Sequence, residues 1–202
     1  MDKITVLLLI CFYTTFGKVS AQHNIANFED RDIDTVKYID KAGIHLLSLS
    51  SSGEIAGAEE GTRSSFIHMI HQLSRSDQNQ TLWEIKDGVE DCPVDVEAKF
   101  LAKPRFTDFN NDGIKEVWMI YQTACKGDIS PSTVIIKMMD ERGTPYTLES
   151  TQLITYTNGI IEGGDYSFDT KFMETNIVYR DYALAFLREF YTVKWNSRDI
   201  FK

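Results

Sequence analysis

The chain has 202 residues, with 30 acidic against 21 basic side chains and a formal net charge of −9. That length is one domain's worth. So acidic a surface is a poor partner for phosphate backbones or anionic lipid, which argues against nucleic-acid binding.

The first 21 residues read as a secretory signal. Lys3 supplies the positive start, Ile4 to Phe16 is uncharged and largely apolar, and Val19-Ser20-Ala21 is a small-residue cleavage site. The apolar run is too short to span a bilayer, and Cys11 comes too early, after bulky Ile10, for a lipoprotein signal. A soluble mature protein beginning near Gln22 is expected, in the periplasm or at the cell surface. The signal holds Asp2, Lys3 and Lys18, net +1, so the mature chain would carry −10.

Residues 22–41 are polar and acidic and read as a flexible lead-in; residues 42–202 read as a single β-rich domain. Gly43 to Ser50 is a first strand, Ser50-Ser-Ser-Gly its turn, and Gly53 to Gly61 a loop. Phe66 to Leu73 fits either period. The turn-rich Ser74 to Gln80 and the alternating Thr81 to Lys86 favour a β-hairpin. Asp87 to Asp91 is an acidic connection into Cys92-Pro93. Val94 to Phe100 alternates as a half-buried strand, and Pro104 breaks the chain before the next one.

Asp108-Phe-Asn110-Asn-Asp112-Gly113-Ile114-Lys-Glu116 then places oxygen side chains at positions 1, 3, 5 and 9 of a nine-residue loop. Gly113 follows the third, where a sharp turn with positive φ is expected. Ca²⁺ takes six to eight hard oxygens, including a backbone carbonyl at position 7, here Ile114. Asp108, Asn110, Asp112, Ile114 and Glu116 are therefore the candidate calcium ligands. A true EF-hand is excluded, because Met119 stands where its bidentate Glu belongs and Val117 to Tyr121 is strand-like. The strand–loop–strand pattern resembles the calcium loops of the FG-GAP and VCBS β-repeat families, which usually carry Asp where this chain has Glu116. A metal-free hairpin turn is the competing reading, since Asn-Asp-Gly is good turn chemistry by itself.

Glu116 to Thr123 and Thr133 to Met139 are apolar on both faces, as central strands covered on both sides would be. Tyr146 to Tyr156 holds one or two strands, and Asn158-Gly159 signals a hairpin into Ile160-Ile161. From Asn176 the period changes. Tyr179, Ala183, Phe186, Leu187, Phe190 and Val193 recur at three and four, as in an amphipathic helix capped by Thr175 or Asn176. The expected fold is mainly β, an antiparallel sheet or sandwich with propeller-blade-like hairpins and one C-terminal helix. There is no internal repeat, so a full propeller is excluded.

With Cys11 in the signal, Cys92 and Cys125 remain. Two cysteines in an exported chain most simply form one disulfide; zinc and a catalytic thiol have no supporting ligand spacing. His68 and His71 would face opposite sides of a strand and read as ordinary strand histidines. Glu84, Asp87, Glu90, Asp91, Asp95 and Glu97 read as a solvated acidic surface rather than a glycosidase pair. Trp83, Trp118 and Trp195 are candidates for sugar stacking, although Trp118 falls in a strand that reads as core. No catalytic motif occurs.

Asp91-Cys92, Phe106 to Tyr121, Cys125 to Pro131 and Arg180-Asp-Tyr-Ala resemble a family of exported Bacteroidota proteins that carries the name "surface polysaccharide biosynthesis protein". Nucleotide-sugar donors are cytoplasmic, so for an exported chain the resemblance implies an accessory role rather than a glycosyltransferase. The leading expectation is a non-enzymatic, calcium-stabilised envelope protein supporting lipopolysaccharide or capsule, with an envelope glycan or protein as partner. The alternative is a binding module that recognises a protein or glycan.

Overall fold

The computed structural model describes residues 31–76 and 78–194. The segment read as a secretory signal, the first part of the lead-in and Trp195 lie outside the described residues. Four antiparallel strands follow one another in a meander: β1 (Arg31–Asp40), β2 (Gly43–Ala56), β3 (Arg63–Ser74) and β4 (Asn79–Cys92). A second sheet holds β5 (Val96–Phe100), β6 (Arg105–Thr107), β7 (Glu116–Cys125), β8 (Thr133–Met139), β9 (Pro145–Thr151) and β12 (Tyr166–Phe168). Its order is β12-β9-β8-β7-β5, with β6 continuing the edge of β7 beyond β5. A small third sheet pairs β10 (Leu153–Thr155) with β11 (Ile161–Glu162) and, in parallel, with β13 (Thr192–Lys194). The helices are α1 (Thr170–Met173) and α2 (Ile177–Arg188).

The arrangement is three layers: meander, second sheet, helices. β7 and β8 lie in the middle, and their alternation distributes side chains to two cores. Val117, Met119, Tyr121, Ile135 and Met139 face the meander's Tyr38, Leu47, Leu49, Ile67 and Met69. Trp118, Ile120, Val134, Ile136 and Met138 face Phe172, Ala183, Phe186 and Leu187 of the helices. Both strands are thus covered on both sides, which is why they read as continuous apolar runs.

α2 begins at Asn176, whose side chain accepts from the Val178 N–H at 3.1 Å. Arg105 lies 4.0 Å over the Phe186 ring and pairs with Glu189 through two hydrogen bonds, fastening the end of the helix to β6. Cys92 and Cys125 form a disulfide with Cα atoms 5.6 Å apart, joining the end of β4 to the end of β7. It ties the meander to the second sheet.

Three expectations are corrected. Residues 31–40 of the lead-in form a ten-residue strand paired with β2, with Tyr38 buried and Lys37 and Ile39 exposed. The polar composition there marks the solvent side and free edge of a strand, where charge is favoured. β2 runs on through the serine stretch to Ala56, with a bulge between Ser51 and Gly53. Those serines replace missing ladder bonds: the Phe66 N–H donates to Ser52 Oγ at 2.9 Å, and Ser51 Oγ donates to the Ala98 carbonyl of the facing sheet at 3.0 Å. Asp87 to Asp91 likewise stays within β4, where Asp87 accepts from the buried Tyr121 hydroxyl at 2.5 Å.

Candidate functional site

The oxygen-rich loop is the connection of a hairpin. β6 and β7 pair up to Thr107↔Glu116, and residues 108–115 link them. Gly113 takes φ +86°, the left-handed region in which glycine carries no steric penalty. A Cβ there would also approach the Lys41 side chain at 3.1–3.2 Å.

The loop's own side chains hold its backbone. The Gly113 N–H donates to Asp108 Oδ2 at 3.1 Å, the Asp112 N–H to Asn110 Oδ1 at 3.1 Å, and the Ile114 N–H to Asp112 Oδ1 at 2.7 Å. Asn110 Nδ2 donates to Asp112 Oδ2 at 2.8 Å. These contacts draw Asp108, Asn110, Asp112 and Ile114 into one turn, and they leave one atom over. Asp108 Oδ1 is buried without a hydrogen-bond partner. A buried carboxylate oxygen with no donor is expensive, and a cation bound there would satisfy it.

Glu116 has a different setting. It is buried, at 2% exposure. Its Oε2 accepts from the Thr107 hydroxyl at 2.6 Å and its Oε1 from the Tyr179 hydroxyl at 3.0 Å. The Phe109 N–H lies 3.2–3.3 Å from both oxygens. Thr107 in turn accepts from Trp118 Nε1–H at 2.7 Å. Glu116 therefore sits beneath the loop as the centre of a polar network, fully engaged by protein donors. Burial, and then the Glu116 carboxylate beside it, push the Tyr179 hydroxyl well above the ordinary tyrosine range, so it remains a donor at any physiological pH. Among the described residues, no group of three or more His, Cys, Asp or Glu side chains is placed to hold a metal ion.

The loop is also where the three layers meet. Phe109 packs edge-on against Trp118, Tyr179 and Tyr182 on the helix side. On the meander side, the Lys41 N–H donates to the Gly113 carbonyl at 2.9 Å, and Lys41 Nζ donates to the Asp112 carbonyl at 3.2 Å. The Lys115 N–H donates to Asp40 Oδ2 at 3.2 Å. Sequence reasoning finds the Asp108–Glu116 spacing but misses Thr107, Tyr179, Asp40 and Lys41. These contacts span 9 to 75 positions of the chain, and no local pattern marks them.

The other candidates have structural settings. His68 pairs with Glu84 at 2.8 Å, whereas His71, on the opposite face of β3, points to the core. Asp91 accepts from the Ala58 and Glu59 N–H groups and the Thr62 hydroxyl, bracing the loop between β2 and β3. Glu97 accepts from Gln122 at 2.5 Å and pairs with Lys99. Trp118 is wholly buried, which removes it as a sugar platform, and Trp83 packs on His71.

Compared with known proteins, the chain matches no family model, no curated protein and no solved structure. Among the described residues, no helix is long and apolar enough to cross a membrane.

Proposed function

We propose that this protein is exported, binds Ca²⁺ at the Asp108 loop, and supports surface polysaccharide at the cell envelope without catalysing a step itself. The observation that carries the calcium reading is Asp108: one carboxylate oxygen held by the Gly113 N–H, the other buried and unpartnered. Asp108, Asn110, Asp112 and the Ile114 carbonyl would hold the ion, a hard-oxygen set of the kind Ca²⁺ prefers. Glu116 would brace the loop from below. A bound ion would act as a structural clip, because the loop joins β6–β7 to the β1–β2 turn and to α2. The disulfide favours an oxidising compartment, and the resemblance to exported Bacteroidota proteins supplies the polysaccharide connection, with an envelope glycan or protein as partner.

Thermal unfolding tests the clip. At 2 mM Ca²⁺ and a Kd of about 10⁻⁴–10⁻³ M, as for extracellular modules, linkage gives roughly 0.6–2 kcal/mol. For a chain of this size that is a melting-temperature rise of about 2–6 °C. An Asp108→Asn, Asp112→Asn double variant should lose the rise; an equal rise in that variant sinks the site. The envelope role is tested by the surface polysaccharide profile of a deletion strain, complemented with wild type or with the double variant. Shortened or missing polysaccharide restored by wild type alone supports the proposal; an unchanged profile refutes it.

A further inference from the structure

The turn between β1 and β2 rests on the oxygen-rich loop, and Lys41 makes the contact. Its backbone N–H donates to the Gly113 carbonyl at 2.9 Å, and its Nζ donates to the Asp112 carbonyl at 3.2 Å. Between those two points the aliphatic stem runs over Gly113, where an added Cβ would stand 3.1 Å from Lys41 Cδ and 3.2 Å from its Cβ. The turn itself is held, because Asp40 accepts from the Ala42 N–H at 2.7 Å and from the Lys115 N–H at 3.2 Å. Turn, stem and ammonium are therefore fixed to the loop at separate points, although Lys41 is exposed to solvent.

The ammonium is delivered to a turn that holds two carboxylates. Asp108 Oδ2 accepts from the Gly113 N–H, Asp112 Oδ1 from the Ile114 N–H and Asp112 Oδ2 from Asn110 Nδ2. Those donors are neutral, and Asp108 Oδ1 has no hydrogen-bond partner. Glu116 is met separately, beneath the loop, by Thr107 and Tyr179. Lys41 Nζ, on the carbonyl of Asp112 itself, brings a full positive charge to the same turn. An opposite charge this near lowers the cost of holding two carboxylates together.

We propose that Lys41 is a tethered counter-ion that sets how strongly the loop takes calcium. The inference rests on the calcium reading of this loop. Without the ion, the ammonium offsets part of the repulsion between Asp108 and Asp112. A divalent cation entering among those carboxylates neutralises them instead, and the ammonium repels it. Affinity in oxygen-ligand sites follows the count of ligand charge, so a built-in positive charge shifts the loop toward weak binding. Lys41 thus competes with the ion by charge, without filling a ligand position, and it ties the β1–β2 turn to the state of the loop. Because Lys41 stands in solvent, its effect is screened by salt.

The test is calorimetric titration of Ca²⁺ into the metal-free protein, as wild type, Lys41→Met and Lys41→Arg, at low and at high NaCl. Met keeps an unbranched stem over Gly113 and removes the charge; Arg keeps the charge. At about 0.01 M salt, Lys41→Met should bind Ca²⁺ about three- to tenfold more tightly than wild type, and Lys41→Arg should match wild type. At about 1 M salt the gain should disappear. Without calcium, Lys41→Met should melt below wild type, the opposite sign from its effect on the ion. Equal affinities at low salt, weaker binding by Lys41→Met, or the same gain in Lys41→Arg overturns the inference and leaves the calcium reading standing. No uptake of millimolar Ca²⁺ by any of the three proteins overturns both.

Discussion

His71 should make this protein lose stability in mild acid, by an amount that follows from its surroundings. Burial, reinforced by the neighbouring His45 and only partly opposed by Asp40, lowers its pKa from 6.5 to about 4. The groups around it are Tyr38 and Asp40 on β1, His45 on β2 and Trp83 on β4, with Lys115, Asp140, Glu141 and Arg142 lining the same pocket. The folded state keeps the ring neutral down to about pH 4, whereas the unfolded chain takes up a proton below 6.5. The unfolded state therefore binds more protons in that window, and stability rises with pH there. The contribution is fully present above pH 6.5 and is lost as pH falls towards 4. Between pH 7 and pH 5, a shift from 6.5 to about 4 corresponds to a loss of about 2 kcal/mol. That is a sizeable share of a marginal stability of about 5–15 kcal/mol.

Other groups titrate in acid too, so the measurement is a difference. Urea unfolding of wild type and His71→Gln would be followed at pH 7, 6 and 5. Gln keeps a side chain able to meet Tyr38 and His45 but cannot be protonated in this range. The stability of wild type relative to the variant should fall by about 2 kcal/mol between pH 7 and pH 5. Parallel pH profiles would refute the reasoning, because His71 would then be protonated as readily in the fold as in the unfolded chain.

Two further outcomes are expected. Glu116→Gln removes the charge on which Thr107, Phe109 and Tyr179 converge and should cost about 2 kcal/mol, equally with and without Ca²⁺; a calcium-dependent cost would instead make Glu116 a ligand. Reducing the disulfide, or Cys92→Ser with Cys125→Ser, opens a 33-residue closure and should cost about 4 kcal/mol in the chain-entropy picture. Unfolding with and without reductant checks it, and no change in the urea midpoint would contradict the estimate.

Local patterns alone were enough to find much of the architecture. The unbroken apolar runs of β7 and β8, the turn residues after Ser74, the Asn158-Gly159 hairpin and the three–four period after Asn176 each record a local preference or a face to be buried. The loop oxygens were legible for the same reason, since their spacing is short. Cys92 and Cys125 were legible by elimination, as the cysteines left once the stretch read as a signal is set aside.

Tertiary structure decided the rest. β1 looked like a lead-in because an edge strand shows its polarity to solvent, and only β2 beside it turns those residues into a strand. Sequence spacing marked Glu116 as a loop oxygen but said nothing of its direction; the structure joins its carboxylate to Thr107 and Tyr179. The contacts that join Tyr38, Asp40, His45 and His71 left no mark in the sequence, because these residues come from three different strands of the meander. Spacing along a chain encodes what one element does with its own neighbours. Which side chains share a buried volume is set by the packing of layers, as the contacts of His71 with Tyr38 and His45 show.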